Sequence, residues 1–332
     1  MPIVNGRSDL QTANPFYGFS SGARSAVRAD GSGENMLAIV GVVIVLGAVL
    51  AGFMMEKGPL MVLMQPSEFV IIAGAAFGAL LAGNPVRVLK KIGTGLMRTL
   101  AGSRMSKKIY LDTLKMMFQL FMKARKEGMV GIESDVEDPE KSPLFSKYPS
   151  FLKDHHSRDF VCDTLRMAIT GGATAFDLDQ MMELDMEVHH AGENQPVAAL
   201  TTTADSLPGM GIVAAVLGVV LTMSALGGPP EAIGQKVAAA LVGTFLGILL
   251  CYGMVGPIAA NMGKIVEDEH SYYHVLRVVM LSFIKGISPI LAVEMGRRAI
   301  PEHLRPTFQE MEKACREKDE PVAEAAAAEQ AA

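Results

Sequence analysis

The sequence predicts an all-α integral membrane protein. It has four transmembrane helices, a helical cytoplasmic domain between the second and third, and a helical cytoplasmic tail. Three observations carry this. Half of the 332 residues are apolar and 20% are charged, against about 25% in soluble domains. Those charges are nearly absent from four long windows. No stretch of useful length alternates with the period of a strand.

Residues 1–35 are rich in Gly and Ser, carry mixed charge and show no helical period, so they read as a disordered cytoplasmic leader. The first span follows at 36–54, MLAIVGVVIVLGAVLAGFM, without a charge. A bilayer core about 30 Å thick takes about 20 apolar residues as a helix. The second span is 69–86, the third 206–228 and the fourth 237–261. Four such windows are hard to account for as buried soluble helices.

Orientation comes from the loops. Arg87, Lys90, Lys91, Arg98, Arg104, Lys107 and Lys108 follow the second span with no acidic residue before Asp112. Basic loops stay inside, so 87–205 and the tail are expected in the cytoplasm, with both termini there too. Within 87–205, Tyr110, Leu114, Met117, Phe118 and Phe121 recur at helical spacing, predicting a helix over 107–128. An acidic turn region, ESDVEDPEKSP, covers 133–143. Further helices are expected at 149–170 and 174–192. The tail, 262–318, reads as helices at 264–285, 287–300 and 306–318. The alanine-rich end, 319–332, reads as disordered.

The function classes narrow by elimination. A net charge of −5 offers no basic excess for nucleic acid. The three cysteines are far apart and form no CxxC pair, so no disulfide framework or thiolate metal site is expected. No nucleotide, hydrolase or metalloprotease motif occurs, so no enzyme and no cofactor are predicted. The pairs His155-His156 and His189-His190 read as solvated helix surface, since adjacent residues face apart on a helix. None of the four windows holds Asp, Glu, Lys, Arg or His. A cation path through a bundle usually needs such a group. The chain therefore moves no ions or borrows a carboxylate from a partner, and composition leaves both open.

The small-residue spacings Gly74-x-x-x-Gly78, Gly243-x-x-x-Gly247 and Gly211-x-x-x-Ala215 allow close helix approach. The blocks DSLPGMGIVAAVLGVV and ALVGTFLGILLCYGMVGPIA carry these stripes. They resemble the MotA/PomA family of flagellar motor stator subunits. The resemblance continues in QPSEFVIIAGAAFGALLAGN, in KARKEGMVGIESDVEDPEKSPLFSKYPSFL and in AVEMGRRAIPEHLRPTFQEME. It spans 36–318.

The resemblance implies a homo-oligomer, five copies around two copies of a MotB-type single-span partner that supplies the membrane Asp. It implies a location in the bacterial inner membrane and torque on the rotor protein FliG. Carried over by residue, it makes Pro208 and Pro257 the prolines that couple ion passage to conformational change. It makes Thr244 a channel-facing hydroxyl. Ala215 stands where sodium-driven relatives carry threonine, which favours protons over sodium. Arg125 and Glu133 match the charged pair that faces FliG. The competing readings are an ExbB/TolQ-type proton-channel subunit energising outer-membrane processes, and a non-conducting membrane scaffold.

Overall fold

The computed structural model describes residues 32–316 apart from Ala225, Leu226 and Gly228. Most of the expected leader and all of the alanine-rich end lie outside the described residues.

The first helix, α1, runs Ser32–Met55, taking in residues 32–35 that the leader was expected to hold. None of its apolar window, Ala38–Met55, is buried. It lies against α3 and the α9–α10 junction described below. The second, α2, is Pro66–Gly83. It begins three residues earlier than the expected span because Pro66 sits in the first turn, where its missing N–H costs nothing. Consequently Glu68 is a helix residue. Asn84 and Pro85 then separate α2 from the amphipathic α3, Val86–Ala101, which carries Arg87, Lys90, Lys91 and Arg98 of the basic run.

The longest helix, α8, runs Ala175–Met223. The sequence divided it into a cytoplasmic helix at 174–192 and a span at 206–228, but nothing between them breaks it. Pro196 and Pro208 both lie inside the helix. At 49 residues and 1.5 Å rise it is about 74 Å long, more than twice the hydrocarbon thickness. Its polar half, 175–205, therefore stands outside the membrane. Thr174 and Asp177 form a reciprocal capping box at its start. The helix stops at Met223, five residues before the expected end, ahead of Gly227 at φ 105° and the Pro229-Pro230 pair.

The return helix, α9, is Pro230–Leu250. It again starts earlier than the expected 237, with proline at its head. A π-helical segment, Cys251–Val255, joins it to α10, Gly256–Ile284, so that the fourth apolar window and the exit helix form one rod.

A helical body outside the apolar spans packs on the ends of α8 and α10. It contains α4 (Lys107–Glu127), α5 (Glu133–Glu137), α6 (Pro149–Lys153), α7 (His155–Thr170), α11 (Pro289–Ala299) and α12 (Phe308–Arg316). Its core joins Tyr110, Leu114, Leu120 and Phe121 of α4 to Leu276, Val279 and Met280 of α10 and to Val293 of α11. Phe121 stacks on Phe283 with centroids 4.0 Å apart. The Thr113 and Tyr272 hydroxyls pair at 2.8 Å inside this core.

Candidate functional site

The membrane part is organised by one seam between α8 and α9. A Cβ built on Gly211 would lie 2.8 Å from the Gly243 carbonyl oxygen and 3.1 Å from Gly247 Cα. One on Gly247 would lie 2.6 Å from the Leu207 carbonyl oxygen and 2.9 Å from Gly211 Cα. The backbones touch because side chains are absent, which is how helices associate where lipid gives no hydrophobic push. The Gly74–Gly78 pair is different: added methyl groups there meet nothing within 4 Å.

Three of the expected pathway residues, Pro208, Ala215 and Thr244, belong to the two helices of this seam. Ala215 faces Gly243, whose built Cβ is 3.3 Å from the Ala215 nitrogen. Thr244 follows Gly243 directly, and both Ala215 and Thr244 are partly exposed. Pro208 follows Leu207, which packs with Ala204 and Cys251. Pro257 lies just past the π segment and is exposed. Beside them Ile212, Val216, Val219, Val220, Leu241 and Tyr252 present an apolar surface to the outside.

The π segment is a feature the sequence reading did not find. The Gly256 N–H bonds to the Cys251 carbonyl oxygen, a five-residue step. Proline at 257 has no N–H and its ring collides with the carbonyl four residues back in a regular α-helix. The widened turn in front of it accommodates both. Such single π turns are often found at functional positions.

Arg125 and Glu133 lie elsewhere, on the helical body outside the apolar spans. Arg125 is in the last turn of α4 and Glu133 opens α5, and both are exposed. The segment between them turns at Gly128, φ 84°. What fixes this corner is Asp135, 2% exposed. It accepts from Lys123 Nζ at 2.7 Å and from Ser142 Oγ at 2.6 Å. In the sequence Asp135 is one acid among several in the 133–143 run, and nothing local marks it as the buried one. Asp135→Ala is expected to destabilise the corner by about 2–4 kcal/mol, because Lys123 and Ser142 lose their acceptor. Proteolysis of the segment 129–148 in membranes should then be faster. An unchanged cleavage rate would show that the pair does not hold the corner.

Between membrane and body lies a collar of ions. Lys91 pairs with Glu193 at 2.7 Å, and Arg98 approaches Glu193 at 3.8 Å and Glu269 at 3.9 Å. Burial opposes ionisation of Glu193, but the Lys91 hydrogen bond and charge outweigh it and hold the acid below its usual range. Glu269 is pushed up, because there burial exceeds the attraction of Arg98.

Three of the four paired histidines are not solvated surface. His155 is exposed, but His156 meets His189 edge-on at 3.7 Å, and both rings contact Tyr273. His190 lies 4.4 Å from His270. Adjacent histidines do diverge, but His156, His189 and His190 each find a ring on another helix, which single-helix reasoning cannot see. Burial, and then the charge His156 would carry, lower the His189 pKa from 6.5 to about 4. The fold therefore favours the neutral ring. Its contribution is complete above pH 6.5 and is lost as pH falls from 6.5 towards 4. Thermal unfolding of the solubilised protein should drop over that window. His189→Phe should flatten the drop, removing on the order of 1–2 kcal/mol of pH dependence after allowance for partial exposure. An unaltered profile would contradict this.

Among the described residues no cluster of three or more His, Cys, Asp or Glu is placed to hold a metal.

The family model described as motility protein A N-terminal matches residues 39–128, and the MotA/TolQ/ExbB proton channel family matches 152–274. Motility protein A of Escherichia coli is 38% identical over 277 residues, covering 83% of this chain and 94% of that protein. Chemotaxis protein LafT of Vibrio parahaemolyticus is 35% identical, covering 84% and 98%. The MotAB structure from C. jejuni superposes with a TM-score of 0.67 at 18% identity, covering 80% and 96%. The flagellar MotAB stator complex of Bacillus subtilis gives 0.64 at 23%, covering 84% and 99%.

Proposed function

The chain belongs to the motility protein A family, and on that premise we propose that it is a flagellar stator subunit converting ion flux into torque. The observation that carries this is the union of two parts in one rod. The α8–α9 wall has no charge between Leu207 and Met223 or between Val237 and Leu250, and it continues unbroken into the cytoplasmic body bearing Arg125 and Glu133.

Several copies of the chain surround a MotB-type partner in the inner membrane, five around two, with both chain ends in the cytoplasm. The partner's membrane Asp completes the path along Ala215 and Thr244. The ion is the proton, because alanine at 215 offers no hydroxyl to a partly dehydrated sodium ion. When the partner's carboxylate takes a proton, its charge disappears at a depth where burying it costs several kcal/mol. A different packing against α8 and α9 is then favoured. Pro208 and the π turn before Pro257 are where these helices can yield. The long rods carry the displacement to the body, and Arg125 and Glu133 push against complementary charges on FliG.

Exposed ion pairs are individually weak, about 0–1 kcal/mol. Arg125→Glu or Glu133→Lys should therefore reduce swimming by less than about fivefold, and reversed charges on the rotor protein should restore it. Loss of swimming that no rotor reversal rescues would sink the electrostatic contact.

A further inference from the structure

One carboxyl group lies inside the membrane bundle after all. Glu68, in the first turn of α2, is 5% exposed. Its Oε2 is buried without a hydrogen-bond partner among the described residues. A Cβ built on Gly243 would stand 2.6 Å from that oxygen, so the carboxyl group lies directly over the glycine. The same built atom is 3.2 Å from Ala214 Cβ and 3.3 Å from the Ala215 nitrogen. Glu68 therefore sits against Gly243, between Ala215 on α8 and Thr244 next along α9.

The surroundings give it no counter-charge. The facing stretches of α8, 207–223, and α9, 237–250, contain no Asp, Glu, Lys, Arg or His. Asp205 and Lys236, beyond their ends, are exposed, and so are Glu56 and Lys57 before α2. Gln65, one turn away, spends its amide on the Val62 carbonyl oxygen. The buried cluster at this level of the bundle, Ile72, Ala214, Val242 and Leu246 among others, is apolar. A carboxyl kept for structure would have its oxygens satisfied. An unsatisfied one inside a membrane bundle marks a place where protons bind.

Resting on the stator reading above, we infer that Glu68 is a proton-binding residue of the ion path, a carboxyl group that this chain itself contributes behind Ala215 and Thr244. An O–H bond forms at Oε2 as a hydronium becomes water. The reverse step returns the proton to water on the same path. A side chain at Gly243 would displace the carboxyl group from its present place.

The test uses the full chain with its partner, in cells lacking their own A subunit and in purified complex. Swimming speed is measured against external pH for the native chain, Glu68→Gln and Glu68→Asp. Infrared difference spectra of the complex over a pH titration read the carbonyl band of a protonated, buried carboxyl group. Glu68→Gln should assemble with the partner, lose the band and swim about tenfold slower or worse, with a flattened pH profile. Glu68→Asp should shift the band and restore part of the speed. Native speed in Glu68→Gln at every pH, with the band intact, would overturn the inference. If Glu68→Gln does not assemble, a band unshifted in Glu68→Asp overturns it. A native chain that fails to support swimming would instead reject the stator reading, and the band would still report on Glu68.

Discussion

Gly247→Val is expected to remove at least nine-tenths of the assembled protein. The added Cβ would lie 2.6 Å from the Leu207 carbonyl oxygen and 2.9 Å from Gly211 Cα, so the obstacle is backbone, not a side chain that can turn away. Ordinary overpacking costs about 1–3 kcal/mol because neighbours adjust. Here the two helices must separate along the whole seam, and the Gly211–Gly243 contact opens with the Gly247–Leu207 contact. Close backbone approach is the main attraction between helices in lipid, so the loss is cooperative. The measurement is the amount of chain recovered with a tagged partner from membranes. Gly78→Val is the control, since its methyl groups begin in open space. Equal recovery of the two variants would show that the seam does not hold the bundle.

Pro257→Ala is expected to leave assembly intact and to abolish most of the torque. Alanine supplies the missing N–H and removes the ring, so Cys251–Val255 can relax from π to α geometry. Absorbing one residue turns the following helix by about 100°. The two ends cannot both accept that rotation. Cys251 is packed with Ala204 and Leu207, while Leu276 and Val279 are fixed in the core shared with α4 and α11. The helix therefore settles in one packing and loses its ability to yield. Swimming should fall by about tenfold or more, and recovery with the partner should stay near the native amount. Native swimming speed would show that the π turn plays no part in coupling.

The four spans were legible because the bilayer dictates a long uncharged run, and that signal survives in one dimension. Their ends were less so. Prolines at 66 and 230 start helices ahead of the apolar windows. An uncharged-window criterion set the boundary at Phe69 and so left out Glu68, the one carboxyl the fold buries there. The continuity of α8 was hidden because the change from polar to apolar composition looks like a boundary although no residue there ends a helix.

Glycine spacing gave candidates for close approach, but only the fold separates Gly243–Gly247, in contact, from Gly74–Gly78, which is open. Arg125 and Glu133 are exposed charges like many others, and no local physics distinguishes them. Their assignment came from resemblance alone. Asp135, the His156–His189 contact and the π turn depend on partners or geometry distant from any sequence pattern.

The central claim is that this chain builds a proton path which a partner's carboxylate completes. It is tested most directly by proton uptake into sealed vesicles containing the chain with a MotB-type partner. Uptake should require both chains, should be unaffected by replacing external sodium with potassium, and should vanish when the partner's membrane Asp is changed to Asn. Uptake by this chain alone, or uptake that survives loss of the partner's Asp, would contradict the account.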